Sequence, residues 1–413
     1  MSRLEELIQE LCPDGVKYKK LGEIATDMYR GSGIKREQIT ATGTPCVRYG
    51  EIYTTYGIWF DKCVSHTDAS TVSSPKYFEY GDILFVITGE SVEDIAKSTA
   101  YVGHDRCLAG GDIVVLKHEQ NPKYLGYALA TTNARKQKSS GKVKSKVVHS
   151  SVPAIKDIVI PVPPLQVQSE IVKILDNFTE LTAELTAELT ARKKQYEYYH
   201  NYLMDFSSDD VEYKSVGELF EIKNGLNKEK GAFGKGTPIV NFTDVYNKRW
   251  LSGSSLKGLV DVSDDEAERY SAKKGDVFFT RTSETKEDIG MSSTLIEDIP
   301  NCVFSGFVLR ARPTTDLLLP KFCAYYFSTQ KVRNTIVRYA AFTTRATTTG
   351  PKLSKIMVPI LSIEKQQKIV DILDRFDALC NDLTSGLPAE IAARQKQYEY
   401  YRDKLLTFKE LTA

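Results

Sequence analysis

The residues of this chain with the clearest chemical character are cations set apart from carboxylates. From Gln120 to Lys156 there is no acidic residue, yet the stretch carries Lys123, Arg135, Lys136, Lys138, Lys142, Lys144, Lys146 and Lys156. From Leu317 to Ile363 acids are again absent, while Lys321, Lys331, Arg333, Arg338, Arg345, Lys352 and Lys355 are present. Such clusters suit a polyanion, because each phosphate neutralised releases a condensed counterion. A solvated basic loop is the plain alternative for either segment taken singly, and recurrence at equivalent positions argues against it.

Groups suited to breaking bonds are not arranged for it. There is no Asn-Pro-Pro-aromatic or Asp-Pro-Pro-aromatic motif, and Gly231 to Gly236 lacks the Lys-Ser/Thr of a phosphate loop. Gly31-Ser32-Gly33 reads as a turn, and the five His are scattered. Glu93-Asp94 and Glu287-Asp288 could serve acid–base work, but a solvated turn or a helix cap asks for the same residues. The seven Cys show no Cys-x-x-Cys pairing and no His at zinc-ligand spacing, so reduced thiols are expected, with Cys107 and Cys302 in the core. The inventory fits a binder.

The basic segments occupy equivalent positions because the chain repeats itself. Gln195-Tyr196-Glu197-Tyr198-Tyr199 recurs as Gln397-Tyr398-Glu399-Tyr400-Tyr401, and the run from Ile171 to Phe178 recurs from Ile369 to Phe376. Gly81-Asp82-Ile83-Leu84-Phe85 matches Gly275-Asp276-Val277-Phe278-Phe279, and Thr88 to Ile95 matches Thr282 to Ile289. A repeat this long is a duplicated domain and not a solenoid unit. Each copy opens with short apolar runs broken by Gly, Pro, Asn and Asp, which predicts a mixed α/β or mainly β globule. A Pro-rich join follows (Pro161-Val162-Pro163-Pro164, then Pro359), and a long helix closes the copy. At 413 residues with a net charge of +1, the chain can bury two cores. With no signal h-region and no membrane-length apolar run, a soluble cytoplasmic protein is expected.

In the first helical segment, Ile171, Ile174, Phe178, Leu181, Leu185, Leu189, Tyr196, Tyr199 and Leu203 step mostly by three and four, which predicts a coiled-coil seam. Thr182-Ala183-Glu184-Leu185 is copied as Thr186-Ala187-Glu188-Leu189, producing a stutter. The second seam runs Ile369, Ile372, Phe376, Leu379, Leu383, Leu387, Ile391, Tyr398, Tyr401 and Leu405. There, Gly386 and Pro388 predict a kink or break. Two such helices predict an antiparallel coiled coil between two similar domains, closed in a circular, pseudo-two-fold manner. Residues 1–12 are a candidate to complete the C-terminal joint. Tyr196, Tyr198, Tyr199 and Tyr202, with Tyr398, Tyr400 and Tyr401, exceed what one seam can bury, so they are candidates for a partner-protein surface.

Pro-Pro-Leu ahead of Glu170-Ile171-Val172, the tandem Thr-Ala-Glu-Leu units, Arg192-x-Lys194-Gln195-Tyr196-Glu197-Tyr198-Tyr199 and Gly386-Leu387-Pro388-x-Glu390-Ile391 carry a resemblance. The chain resembles, over its full length, the specificity subunit of type I restriction-modification systems, in the subgroup with tandem repeats in the central helix. The recognition domains match in outline through residues 81–85, 275–279 and Arg281-Thr282, where the first copy has Ile87-Thr88. The resemblance implies an α+β chain with target-recognition domains at 1–160 and 207–358, a central helix at 161–206 and a C-terminal helix at 359–413. It implies a non-catalytic reader in which each domain recognises half of a bipartite, interrupted duplex DNA site. Two modification (adenine-N6 methyltransferase) subunits would dock on the helices, and restriction subunits would join through them. S-adenosylmethionine, ATP and magnesium would belong to those partners. Candidates for base edges are Arg48, Arg135, Arg281, Arg338 and Arg345 with Thr282, Thr343 and Thr344, since an Arg fork suits guanine. Candidates for phosphates are Lys136, Lys138, Lys142, Lys144, Lys146 and Lys352. The alternative is an adaptor whose duplicated domains bind protein on a coiled-coil scaffold.

Overall fold

The computed structural model describes residues 2–140, 147–207 and 210–411. Contacts divide the chain into two units, Met1–Thr186 with Ile391–Ala413, and Ala187–Glu390. In the first unit a five-stranded sheet runs in the order Ala25–Arg30, Ile113–His118, Ile83–Val86, Ser98–Tyr101, Trp59–Phe60. Its central strand, Ile83-Leu84-Phe85-Val86, is buried throughout, so its sequence is a continuous apolar run without alternation. Alternate side chains still go to opposite faces. Ile83 and Phe85 pack with Tyr124, Leu125 and Tyr127 of the helix Pro122–Ala130 and with Ile171 and Leu175 of the central helix Leu165–Leu203. Leu84 and Val86 pack on the other side with Val47, Ile52, Phe60 and Phe78. A second five-stranded sheet, Ile39–Thr40, Ser65–Thr67, Thr44–Val47, Cys107–Ala109, Tyr77–Phe78, covers that side.

The second unit repeats the first sheet strand for strand: Phe220–Asn224, Val308–Pro313, Val277–Thr280, Ser292–Leu295, Trp250–Leu251. It departs from the first unit outside that sheet. A three-stranded sheet joins Thr282–Ser283, Ala346–Thr347 and Ala341–Phe342, the last two forming a hairpin with Thr343-Thr344-Arg345 at its tip. At the corresponding place in the first unit, Thr88–Gly89 pairs with Val148–His149 among the described residues.

The repeated Gly-Asp is a turn that delivers the central strand. Gly81 and Gly275 sit at φ +97° and +92°, where a side chain would strain the backbone. The following carboxylates are held twice. Asp82 accepts the Glu79 N–H at 2.9 Å and pairs with Lys117 at 3.1 Å. Asp276 accepts the Lys273 N–H at 2.8 Å and pairs with Arg312 at 2.7 Å.

A second repeated device fixes a helix to each sheet. Asp176 of the central helix accepts from the Lys123 ammonium at 2.7 Å and the Tyr127 hydroxyl at 2.6 Å. Asp374, on the helix Ile363–Asn381, accepts from Lys321 at 2.6 Å and Tyr325 at 2.7 Å. Each lysine also lies over an indole, Lys123 3.8 Å from the Trp59 centroid and Lys321 5.2 Å from that of Trp250. Buried Gln168 and Gln366 lock the starts of the same helices. Each amide oxygen accepts a backbone N–H (Asn121, Leu319), and each amide nitrogen donates twice. Lys331 likewise meets Asp205 at 3.0 Å. Three lysines of the acid-free stretches are therefore paired with acids far away in sequence.

Each unit is completed by the tail of the other copy's helix. In the first, Phe178 stacks on Tyr401 at 5.5 Å, and Asp403 accepts from the backbone and hydroxyl of Thr132. Val16 bridges Glu410, donating to Lys409 O at 2.9 Å and accepting from Leu411 N–H at 3.0 Å. Leu4 and Leu7 of the helix Arg3–Leu11 share a core with Leu406 and Tyr398. In the second unit, Phe376 stacks on Tyr199 at 5.8 Å, and Asn201 accepts the Gln330 N–H at 2.8 Å. These helices run antiparallel there: Phe376 lies beside Tyr199, and Cys380, one turn on, feels the charges of Lys193 and Arg192.

The buried stripe of these helices differs from the expected seam. Ile171, Val172, Leu175, Ile369, Val370, Leu373 and Cys380 are buried, whereas Leu181, Ile372, Leu379 and Leu383 are exposed. The deep stripe packs on the sheet-covering layer of each unit, and that sets it off from a helix-to-helix seam. From Asn177 to Gln195 the central helix buries no residue, so the tandem tetrapeptides lie clear of both cores. The second segment is two helices, Ile363–Asn381 and Leu387–Leu405, with Pro388 in the first turn of the latter. No helix among the described residues is long and apolar enough to cross a membrane.

Two consequences can be measured. Asp176→Ala leaves a lysine and a tyrosine without their shared acceptor and is expected to lower the stability of the first unit by about 1–2 kcal/mol in urea unfolding. A change within error would show that the clasp adds nothing. Burial pushes the His200 imidazole down to about 4. The unfolded group titrates near 6.5, so the unfolded state binds more protons between those values. Stability is complete above about pH 6.5 and falls toward pH 4, by at most about 1.4 kcal/mol per pH unit. His200→Gln should flatten the unfolding profile in that window, and an unchanged slope would contradict the assignment.

Candidate nucleic-acid interface

Each unit carries a cleft flanked by a short helix and by the turn leading into a core strand, and the two clefts overlap at two repeat positions while extending along different segments. In the first unit the helix is Tyr49–Thr54 with Arg48 at its cap. Glu51 reaches back to the Arg48 N–H at 3.1 Å and to Arg48 Nε at 3.2 Å, and accepts the Ser65 hydroxyl at 2.7 Å. The cleft, about 520 Å³, is lined by Arg36, Arg48, Tyr49, Gly111 and Asp112 among others. Arg30 pairs with Asp112 at 2.7 Å and donates to the Gly111 carbonyl. Glu51 thus holds Arg48 at the wall of the cleft, and Asp112, which lines it, holds Arg30.

In the second unit the helix is Phe242–Asn247, and the Phe242 and Tyr246 rings stack at 5.7 Å. The cleft, about 560 Å³, is lined by these rings with Thr282, Glu284, Asp288, Phe307 and Arg345 among others. Backbone bonds assemble it: the Arg281 N–H donates to Phe307 O at 3.1 Å, and the Thr348 N–H to Arg281 O at 3.1 Å. Arg281, Thr282, Thr343, Thr344 and Arg345 are brought together by one small sheet, and all but half-buried Thr282 are exposed. Ile87, at the position of Arg281, is buried in the first unit. By repeat position Tyr49 matches Phe242 and Asp112 matches Phe307, so one location carries different chemistry in each copy.

The other candidates are dispersed. Arg135 and Lys136 are exposed on the helix Thr132–Ser139, and Arg135 lines a separate cavity of about 300 Å³ with Glu93, Asp94 and Lys97. Arg338 is exposed with its guanidinium 5.2 Å from the Tyr339 ring, and Lys352 is half-buried. Lys142, Lys144 and Lys146 lie outside the described residues. Lys138 is a correction: it is 7% exposed, and its ammonium donates to Ser98 Oγ and Leu129 O, both at 2.9 Å. Burial pushes it down to about 7. It is a core residue and is withdrawn from the phosphate contacts.

The tyrosines divide. Tyr196 and Tyr398 are buried in the two cores, which removes them from any partner surface. Tyr401 is half-buried against Phe178. Tyr198, Tyr199, Tyr202 and Tyr400 are exposed. A groove beside Lys194, Glu197, Tyr198, Asn201 and Tyr202 recurs beside Lys396, Glu399, Tyr400, Asp403 and Lys404. Arg30, Arg36, Phe242, Tyr246 and Phe307 were not among the sequence candidates. Aligning the two copies would have placed Tyr49 against Phe242 and Asp112 against Phe307, but neither pair carries a motif.

Comparison with known proteins agrees with the duplication. A family model described as the type I restriction modification DNA specificity domain matches twice, at residues 13–192 and 208–393. The chain is 37% identical over 273 residues to the EcoR124I/EcoR124II specificity subunit of Escherichia coli. That match covers 61% of this chain and 63% of the relative, which is less than two thirds of the latter's length. A putative type I restriction enzyme specificity subunit of Haemophilus influenzae is 32% identical over 286 residues, covering 65% of this chain and 68% of that protein. In fold the chain is similar to a solved chain described under complex assembly and conformational transition of the type I R-M system, with TM-score 0.66, 16% identity and coverage of 96% and 98%. It is also similar to the HsdS subunit of Thermoanaerobacter tengcongensis, with TM-score 0.52, 15% identity and coverage of 96% of each chain. Since the family model accounts for both copies, the chain belongs to the type I restriction modification DNA specificity family.

Proposed function

We propose that this chain reads a bipartite, interrupted duplex DNA site, each unit taking one half, and that it supplies sequence specificity to a type I restriction-modification complex without catalysing a reaction itself. The observation that carries this reading is the pair of clefts that meet at the Tyr49/Phe242 and Asp112/Phe307 repeat positions and have unlike linings. A duplicated frame with two linings suits two unrelated half-sites. Arg48 in the first cleft and Arg345 in the second meet base edges, with Arg281, Thr282, Thr343 and Thr344 of the same small sheet beside Arg345. Lys136 and Lys352, with Lys142, Lys144 and Lys146, serve phosphates and set the salt dependence, while Arg135 and Arg338, which lie apart from the clefts, remain candidates for base edges. The two grooves beside Tyr198 and Tyr400 dock two methyltransferase subunits, through which restriction subunits join. S-adenosylmethionine, ATP and magnesium are bound by those partners, and the assembly works in the cytoplasm.

The tetrapeptides of the central helix set the gap. They lie where the helix touches neither core and where the chain passes from one unit to the other. Deleting Thr186–Leu189 removes about 6 Å of helix and about 40° beyond a full turn. A base pair spans about 3.4 Å and about 34°. The deletion is expected to leave both half-sites intact and to shorten the gap by one base pair, read by mapping methylated adenines in cells that express the variant with its modification subunit. An altered half-site, or an unchanged gap, would refute the ruler.

A further inference from the structure

The second cleft contains an apolar group that charge and hydrogen bonding leave unexplained. Phe307 is 66% exposed, although the run Val303 to Val308 around it supplies buried core. Its backbone is fixed on both sides. Its N–H donates to Ser305 Oγ at 3.3 Å, its carbonyl accepts the Arg281 N–H at 3.1 Å, and the preceding Gly306 N–H donates to Leu226 O at 2.7 Å. A ring on a backbone held this firmly, exposed to water in one cleft with Arg345 and the stacked Phe242–Tyr246 pair, forgoes the benefit of burial. At the same place the first unit has Asp112, clamped by Arg30. The apolar character therefore belongs to one copy, and a shared turn does not require it.

Among the groups a base pair presents in the major groove, one is apolar: the C5-methyl of thymine. A phenyl ring offers no hydrogen bond, so it disfavours the cytosine amino group, which would lose water there without a partner. We propose that Phe307 packs against a thymine methyl in the half-site taken by the second unit and is a specificity-determining residue. This rests on the reading of the chain as a DNA-reading subunit. The neighbouring carboxylates, Glu284 and Asp288, fit the same base pair, because the adenine opposite that thymine displays an amino donor.

The test uses the full chain in complex with its modification subunit. The recognised motif is first read from methylated adenines, and each thymine of both half-sites is then replaced singly by deoxyuridine, which lacks only the methyl. Equilibrium binding to these duplexes at one salt concentration is expected to show a thymine whose replacement weakens binding about three- to tenfold. In Phe307→Ala that difference disappears, while every other position keeps its wild-type response. Phe307→Leu, which keeps an apolar side chain, retains part of it, and unchanged thermal unfolding of both variants confirms that they fold. The proposal is overturned if Phe307→Ala leaves every thymine-to-deoxyuridine ratio unchanged. It is equally overturned if no thymine is methyl-sensitive, or if the motif contains none. Failure of the underlying DNA-reading role looks different: no motif is methylated, and cognate and scrambled duplexes bind alike.

Discussion

One carboxylate in each copy, Asp176 and Asp374, joins a lysine and a tyrosine of the sheet-covering helix to the long helical segment. The lysine is shared with an indole from the sheet edge, at Trp59 or Trp250. This knot adds directional bonds to the apolar contacts between each helix and the layer beneath it. With it, and with Gln168 or Gln366 locking the first turn, the start of the helix has a fixed register against the domain. A recognition domain that must point its cleft in a defined direction needs such a register, and a polar network in a half-buried setting supplies it at little net cost in stability.

The exchange of tails follows from the same economy. The first copy's helix ends in the second unit, and the second copy's helix ends in the first, where Asp403 and Asn201 occupy matching positions against Thr132 and Gln330. Near the termini the chain's two ends lie side by side through Val16, Lys409 and Leu411. Between its two anchored ends, the central helix carries a stretch with no buried residue. Copying a tetrapeptide there alters helix length without disturbing packing, which is why such a duplication is tolerated at that point and would not be at Ile171 or Tyr196.

Much of this was legible from the residues. The repeat foretold two similar mixed domains, and the four-residue apolar runs after Gly-Asp are the buried central strands of their sheets. Other features were not, for reasons that are physical. Lys138 looks like its basic neighbours, but its burial depends on Ser98 and on the end of the preceding helix, both set by tertiary packing. The absence of acids around Lys123 said nothing about Asp176, 53 residues on. Tyr196 and Tyr398 resemble Tyr198 and Tyr400 in type, and only helical phase against a particular core separates them. Phe307 sits in an apolar run and reads as core. Its exposure is decided by the turn at Ser305–Gly306, which no local pattern announces.

The claim on which the account turns is that one frame with two linings takes two unrelated half-sites. It is tested most directly by sequencing methylated adenines in a host that has no other such system and is supplied with this chain and its modification subunit. A single asymmetric motif is expected, two dissimilar half-sites separated by a fixed gap of unspecified bases. A palindromic or uninterrupted motif, or none at all from a complex shown to assemble, would contradict it.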